Sequence, residues 1–223
     1  MTIIKKINRD LILKKSFELV NKIGLKSLSM RKISDSLGIQ AMSLYNHVEN
    51  KEDIIDGIVD LGVQKFLLPD QNKPWKKSLK ESYMSMYETL LEYQWLAIPL
   101  TNRINIGPAK LVHFERMLHT LHSAGFTLPQ ADHAINLLDS HVFGFCLIEL
   151  NFPIKSSEYS DTAKKYISMI PKEQFPAMFK LTKLVAEEKY HGIQEFTFGL
   201  DIILTGLEDI LIKKPRHRID NKI

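Results

Sequence analysis

Residues 28–54, LSMRKISDSLGIQAMSLYNHVENKEDI, constrain the fold of this 223-residue chain more than any other stretch. Met30, Ile33 and Leu37 fall at i, i+3 and i+7, which predicts a helix with one apolar face, and Ser29 stands where its N-cap belongs. Gly38 follows, where a helix can end at positive φ without a Cβ penalty. Ile39 is placed to plug the turn. Residues 40–47 form a second short helix whose Leu44, with Val48 just beyond, faces inward at i, i+4. Asn50 caps a third helix, with Asp53 three residues later as a capping-box acid. Two short helices meeting at a glycine have the layout of a helix-turn-helix, whose second helix suits the major groove of DNA. Lys51 opens the third helix, a poor position for a cation beside the positive end of the helix dipole, and a nearby phosphate would offset that conflict.

Charge is distributed unevenly around this segment. Residues 1–51 hold ten Lys or Arg and four acids, a balance of +6, whereas residues 52–223 hold 20 bases and 22 acids. A basic first segment either meets a polyanion or is a solvated face; beside a helix-turn-helix the polyanion is the stronger reading. The single cysteine, Cys146, excludes an intrachain disulfide and suits a cytoplasmic setting. No apolar run approaches the roughly 20 residues that span a bilayer, and the first ten residues lack a signal-peptide apolar core.

The pattern predicts an all-α chain: residues 1–51 as a DNA-binding domain, 52–68 as a connecting helix, 69–212 as a helical effector-binding and dimerisation domain, and 213–223 as a frayed basic tail. The first helix runs from about Arg9 to Ile23, with Leu13, Phe17 and Val20 on its core face and Gly24 at its end. Lys5 and Lys6 ahead of it reach DNA or fray in solvent. A helix over 50–68 joins the two halves, and 69–74, PDQNKP, is the clearest break. Further helices are expected near 75–93, 107–124, 129–150, 172–190 and 193–212, with 94–103 interrupted by Pro99 and 153–171 read as a polar connection.

The 28–54 string resembles the DNA-binding signature of TetR-type (tetracycline-repressor-like) transcriptional regulators at Leu28, Ser29, Arg31, Ile33, Leu37, Gly38, Ile39, Ser43, Leu44, Tyr45, His47, Lys51 and Ile54. Val48 departs from the Phe of many members, although tetracycline repressors have Val there. Looser similarity continues at 125–128 (GFTL), 141–149 (HVFGFCLIE) and 196–208 (FTFGLDIILTGLE). The resemblance implies a homodimeric regulator of a palindromic double-stranded DNA operator, most simply a repressor released by a small, largely apolar effector. An activator or protein-binding coactivator is the alternative.

On that reading Ser29, Tyr45, His47 and Lys51 hold phosphates, which set affinity and register. Tyr45 can instead pack on its own domain, and His47 can form an intradomain hydrogen bond. Arg31 is suited to a guanine edge, while Gln40, Ala41, Met42 and Ser43 lie deepest in the groove. Ala41 and Met42 offer apolar contact to thymine methyls rather than hydrogen bonds. Asn46 reads a base or faces solvent.

In the second half Leu200, Ile203, Leu207 and Ile210 form an apolar stripe, and Gly192, Gly199 and Gly206 recur every seven residues. A helical glycine costs about 1 kcal/mol against alanine, so repetition suggests close helix approach. The family builds a four-helix dimer interface from this helix and the one near 129–150, which makes Gly199, Leu200, Ile203, Gly206, Leu207 and Ile210 the predicted interface; a helix buried within its own chain is the alternative. Met and aromatic residues suit adaptable pockets as well as plain cores. The predicted effector site comprises Met84, Tyr87, Leu91, Phe114, Met117, His141, Phe145, Glu149 and Met178. His141 and Glu149, eight apart, share a helix face and orient a ligand, or are a satisfied buried His and an exposed Glu.

Where tetracycline repressors carry drug- and magnesium-binding histidines, loose alignment places Leu67 and Thr101, so the resemblance does not extend to the antibiotic. His119 and His122 have a metal-compatible spacing but no third ligand at a recognisable interval, and a surface pair is the simpler reading. No cofactor or metal is expected. The absence of a nucleophile elbow, Walker loop, GxGxxG or HExxH argues against an enzyme, leaving a small helical enzyme as a remote alternative.

Overall fold

The structure is a computed structural model that describes residues 7–104, 107–190 and 195–213. Lys5, Lys6, Gly192 and the tail beyond residue 213 lie outside the described residues. Within them the chain is all-helical. Helix α1 (Arg9–Ile23), α2 (Met30–Leu37) and α3 (Ala41–Leu44) form the N-terminal unit, and α4 (Lys51–Val63) leads out of it. Then come α5 (Trp75–Glu92), α6 (Ala97–Asn102), α7 (Pro108–Ser123), α8 (Leu128–Asn151), α9 (Tyr159–Tyr166), α10 (Pro176–Ala186) and α11 (Phe196–Lys213).

Most of the local signals act as the sequence predicts. Ser29 Oγ accepts from the Lys32 backbone N–H at 3.3 Å, and Asn50 Oδ1 accepts from Asp53 N–H at 2.9 Å. Gly38 ends α2 in the left-handed region at φ 68°, where a Cβ would be strained. Ile33, Leu44 and Val48 are buried, so α2 and α3 are clamped by one small apolar core shared with α1. Asp53 does not close the predicted capping box, because its carboxylate takes the N–H of Glu49 rather than that of the N-cap Asn50. It accepts the Glu49 N–H at 3.0 Å and bonds from Nη1 and Nη2 of Arg9 at 2.7 Å each, fastening the start of α1 to the start of α4. The Arg9 hydrogen bonds hold the Asp53 carboxyl below its ordinary range.

Three further expectations are corrected. The connecting helix ends at Val63, not near 68. Lys65 and Phe66 close tight turns onto Gly62 and Val63, Phe66 is buried, and the Leu67 N–H and C=O are taken by Ser85 and Ser82 of α5. Those serines satisfy the backbone that a longer helix would have satisfied. Pro99 does not interrupt its segment, because it sits in the first turn of α6, where a missing N–H costs nothing. Residues 153–171 are not simply a connection: they contain α9, which packs on α10, although α9 buries only Ala163.

The C-terminal core is a stack of α5, α7, α8 and α11, with Tyr83, Leu138, Val142, Cys146, Leu200 and Leu204 at its centre. Two anchors tie α4 to it. Arg103, at the end of α6, pairs with Glu52 and with Asp56 at 2.9 Å. Asp60 Oδ1 accepts the Ala109 N–H at 2.8 Å, capping α7 from α4. A Cβ on Gly107 would lie 2.1 Å from that Asp60 oxygen, so glycine lets the two elements meet.

Candidate nucleic-acid interface and C-terminal cavities

The ten residues predicted for DNA contact are presented by α2, α3, the turn that follows α3 and the start of α4. Arg31, Gln40, Tyr45, Asn46 and His47 are exposed, and so is Met42, at 74%. Ser29, Ala41, Ser43 and Lys51 are half-buried. Among the described residues no hydrogen bond or ion pair occupies the side chains of Arg31, Tyr45, His47 or Lys51, which leaves their donors available. Ser43, Asn46 and His47 line a groove shared with Leu11 and Lys15, whereas Met42 and Tyr45 project outward. Lys15, which the sequence alone did not single out, brings α1 to the same surface, although it is also ion-paired with Glu18 at 2.6 Å.

The predicted effector residues separate into two cavities on opposite faces of α8. The larger, about 1040 Å³, takes Leu91, His141, Phe145 and Glu149 from the predicted set. It adds Gln94, Phe152, Lys155, Tyr159, Tyr190 and Phe198, which come from elements whose mutual packing no periodicity reveals. At its edge Tyr87 stacks on Phe196 (centroids 4.2 Å apart) and donates to Glu149 at 2.6 Å. Burial and the adjoining carboxylate raise the Tyr87 phenol above its ordinary range, keeping it a donor. His141 also stacks on Phe196, with centroids 4.9 Å apart and Nε2 3.0 Å from the Phe196 carbonyl. Thus His141 is fixed by its own chain while one face still borders the cavity. Burial pushes the neighbouring Cys146 thiol up to about 12, so it is an apolar packing group.

The smaller cavity, about 270 Å³, takes Phe114 and Met117 and is walled by Val63 and Phe66 next to α4. Its polar members are Lys110, His113 and Asp139. Met84 joins neither cavity but borders a shallow surface groove with Leu67 and Glu88. Met178 is 58% exposed on α10 and borders none of the cavities described.

The predicted dimer stripe largely faces its own chain. Leu200 and Leu207 are buried against α8 and α5, Ile203 is half-buried, and a Cβ on Gly199 would lie 2.4 Å from the His141 ring. The helix repeat located an apolar stripe but not which way it turns. The outward face of α11 instead carries Phe198, Ile202 and Ile212, with Gly206 beside open space and Ile210 on the flank. Beside it the outward face of α8 carries Leu137 and Ile148, with open space at Gly144.

His119 and His122 do not converge on a common site: His119 Nδ1 is 2.7 Å from Gln71 Oε1, and His122 Nδ1 is 2.9 Å from the Phe126 carbonyl. Leu67 is exposed, and the Thr101 hydroxyl bonds its own helix backbone. Among the described residues no helix is long and apolar enough to cross a membrane.

Comparison with known proteins agrees with this architecture. The tetracycline repressor protein class G of Vibrio anguillarum is 27% identical over 213 residues, spanning 91% of this chain and 94% of that one. The transcriptional repressor DrrR1 of Streptomyces coeruleorubidus is 25% identical, spanning 92% and 78%. The solved structure of the TetR family protein ActR of Streptomyces coelicolor in complex with actinorhodin superposes with a TM-score of 0.78 at 25% identity, covering 92% of this chain and 96% of that one. Residues 68–211 match the family described as Tetracyclin repressor-like, C-terminal domain, and the chain therefore belongs to the tetracycline-repressor-like (TetR) family of transcriptional regulators.

Proposed function

We propose that this regulator is a homodimeric repressor that holds a palindromic operator and leaves it when a small molecule occupies the C-terminal domain. The observation that carries the reading is the α2–α3 surface, where Arg31, Met42 and Tyr45 stand exposed while Ile33 and Leu44 beneath them are buried. A helix pair held rigidly from behind, with its outer donors available, can meet a groove without rearrangement. Ser29, Tyr45, His47 and Lys51 take phosphates. Arg31 reads guanine, and Gln40 to Ser43 lie against base edges with Met42 favouring thymine methyls, leaving Asn46 at the rim.

Dimerisation through the outward faces of α8 and α11 places two recognition helices on one side of DNA, matching half-sites about one turn apart. Gly144 and Gly206 favour close approach there, as their Cβ positions are open. The effector site consists of the two cavities flanking α8. The smaller touches Val63 and Phe66, and α4 is gripped by Arg103 and by the Asp60 cap on α7. A ligand that shifts α6 or α7 therefore moves α4 and, through Arg9–Asp53, α1. Release requires differential affinity for the two arrangements, typically about 1–3 kcal/mol.

The test is selection from a pool of random duplex DNA by the purified protein across a salt series. A palindromic motif whose retention falls steeply with salt is expected. Recovery of no motif by a folded dimer would overturn the reading in favour of a protein-binding coactivator.

A further inference from the structure

The smaller cavity states what kind of molecule it accepts. Its walls are apolar: Phe66, Met86, Leu100, Met117, Ile135 and Phe143 all border it. Three polar groups interrupt them, and each stands differently. Asp139 Oδ1 accepts the Tyr83 hydroxyl at 2.9 Å. Lys110, on the facing helix, lowers the cost of the Asp139 charge. His113 Nε2 is enclosed and has no hydrogen-bond partner among the described residues, while its ring stands edge-on to Phe66 at 5.5 Å. An enclosed ring nitrogen without a partner costs free energy until something supplies one.

We propose that this cavity binds an uncharged, largely apolar molecule of one or two fused rings bearing a hydroxyl, with the hydroxyl hydrogen-bonded to His113 Nε2. This deepens, and rests on, the reading of the C-terminal domain as the effector-binding domain. Charge decides the class. Asp139 and Lys110 offset each other, so an anion or a cation gains no net attraction from the pair and loses its hydration in an apolar surround. Burial pushes the His113 imidazole down to about 4, so it is neutral at physiological pH and offers no charge to a carboxylate ligand. A neutral imidazole serves a hydroxyl with either tautomer, because the hydroxyl both donates and accepts. The cavity volume of about 270 Å³ admits a bicyclic ring.

Isothermal titration of the full-length protein, free of DNA, with 2-naphthol, 2-methylnaphthalene and 2-naphthoate tests this. Binding of 2-naphthol is expected about tenfold or more tighter than of either relative, since the methyl analogue leaves His113 unpaired and the carboxylate loses its hydration with no net attraction in return. Leu111→Trp, a change at the half-exposed rim that need not disturb the core, should abolish the binding. His113→Leu should equalise 2-naphthol and 2-methylnaphthalene. The unmodified protein decides the matter even if that variant misfolds. Equal binding of the methyl analogue, preference for the naphthoate, no measurable 2-naphthol binding, or binding untouched by Leu111→Trp would each overturn the proposal. The titration needs no operator, so failure to select a DNA motif sinks the repressor reading alone, whereas an unselective cavity sinks this inference alone.

Discussion

Replacing Gly199 with alanine sets two effects of known sign against each other. In a helix interior the change gains about 1 kcal/mol in backbone terms. Here the new Cβ would lie 2.4 Å from His141 Cε1 and 2.9 Å from Nε2, closer than packed atoms tolerate. The ring is the end of a side chain and can swing into the large cavity that it borders, but doing so breaks its contact with the Phe196 carbonyl and its stacking on Phe196. Those losses are each about 0.5–1.5 kcal/mol. The net expectation is destabilisation by about 1 kcal/mol, or roughly 2–4 °C in Tm for a chain of this size. Thermal and urea unfolding of Gly199→Ala beside Gly206→Ala provide the assay. Gly206 has open space at its Cβ position, so its alanine variant should gain about 1 kcal/mol within the chain and weaken the dimer. A Gly199→Ala protein as stable as the parent, with His141 unmoved, would refute the reasoning.

Lys51→Ala should reduce the slope of log affinity against log salt by about one while leaving the selected motif intact, and Arg31→Ala should cost about 1–3 kcal/mol and relax the guanine position; filter binding across a salt series measures both. Ile202→Asp, on the outward face of α11, should leave the chain folded and shift it to monomer in sedimentation. Arg103→Ala removes the pairings with Glu52 and Asp56 and should weaken effector-driven release from DNA while lowering stability by no more than about 1 kcal/mol, since the pairs are partly exposed. Burial pushes the Asp139 carboxyl up to about 6, so the folded state holds its proton more tightly than the unfolded chain, and this group's contribution to stability falls as pH rises from about 4 to 6. Asp139→Asn, which still accepts from Tyr83, should therefore stabilise the protein by up to about 3 kcal/mol at pH 7, a gain that disappears by pH 4 in paired denaturation curves.

The exposed surface of α2 and α3 was legible in the sequence because its determinants are local. Ser29, Gly38 and Asn50 act within one helical turn, and the i, i+3, i+7 spacing of Met30, Ile33 and Leu37 fixes which side of α2 is buried. What is left over, with Arg31, Gln40, Met42, Tyr45, Asn46 and His47 at its front, is exposed by subtraction. The second half resisted the same treatment. An apolar stripe on α11 announces a buried face, but Leu200 and Leu207 bury it against their own chain, and a second apolar pair at i, i+4, Phe198 and Ile202, faces outward, so periodicity alone does not tell the two faces apart. Met178 and Met84 have the composition of pocket residues and lie outside both cavities, because a cavity is the space that packing leaves between several helices.

The sequence by itself determined the helix starts and stops of the N-terminal unit, the basic bias of residues 1–51 and the exposed character of the second helix of the motif. The first and last follow from backbone capping and periodicity over fewer than ten residues, and the charge bias from composition alone. Tertiary structure alone decided that His141 closes on Gly199, that Asp60 caps a helix 49 residues away, and that His113 and Asp139 meet in one enclosure. Those outcomes depend on how α4, α5, α7, α8 and α11 pack together, and packing is set by the whole core at once rather than by any segment.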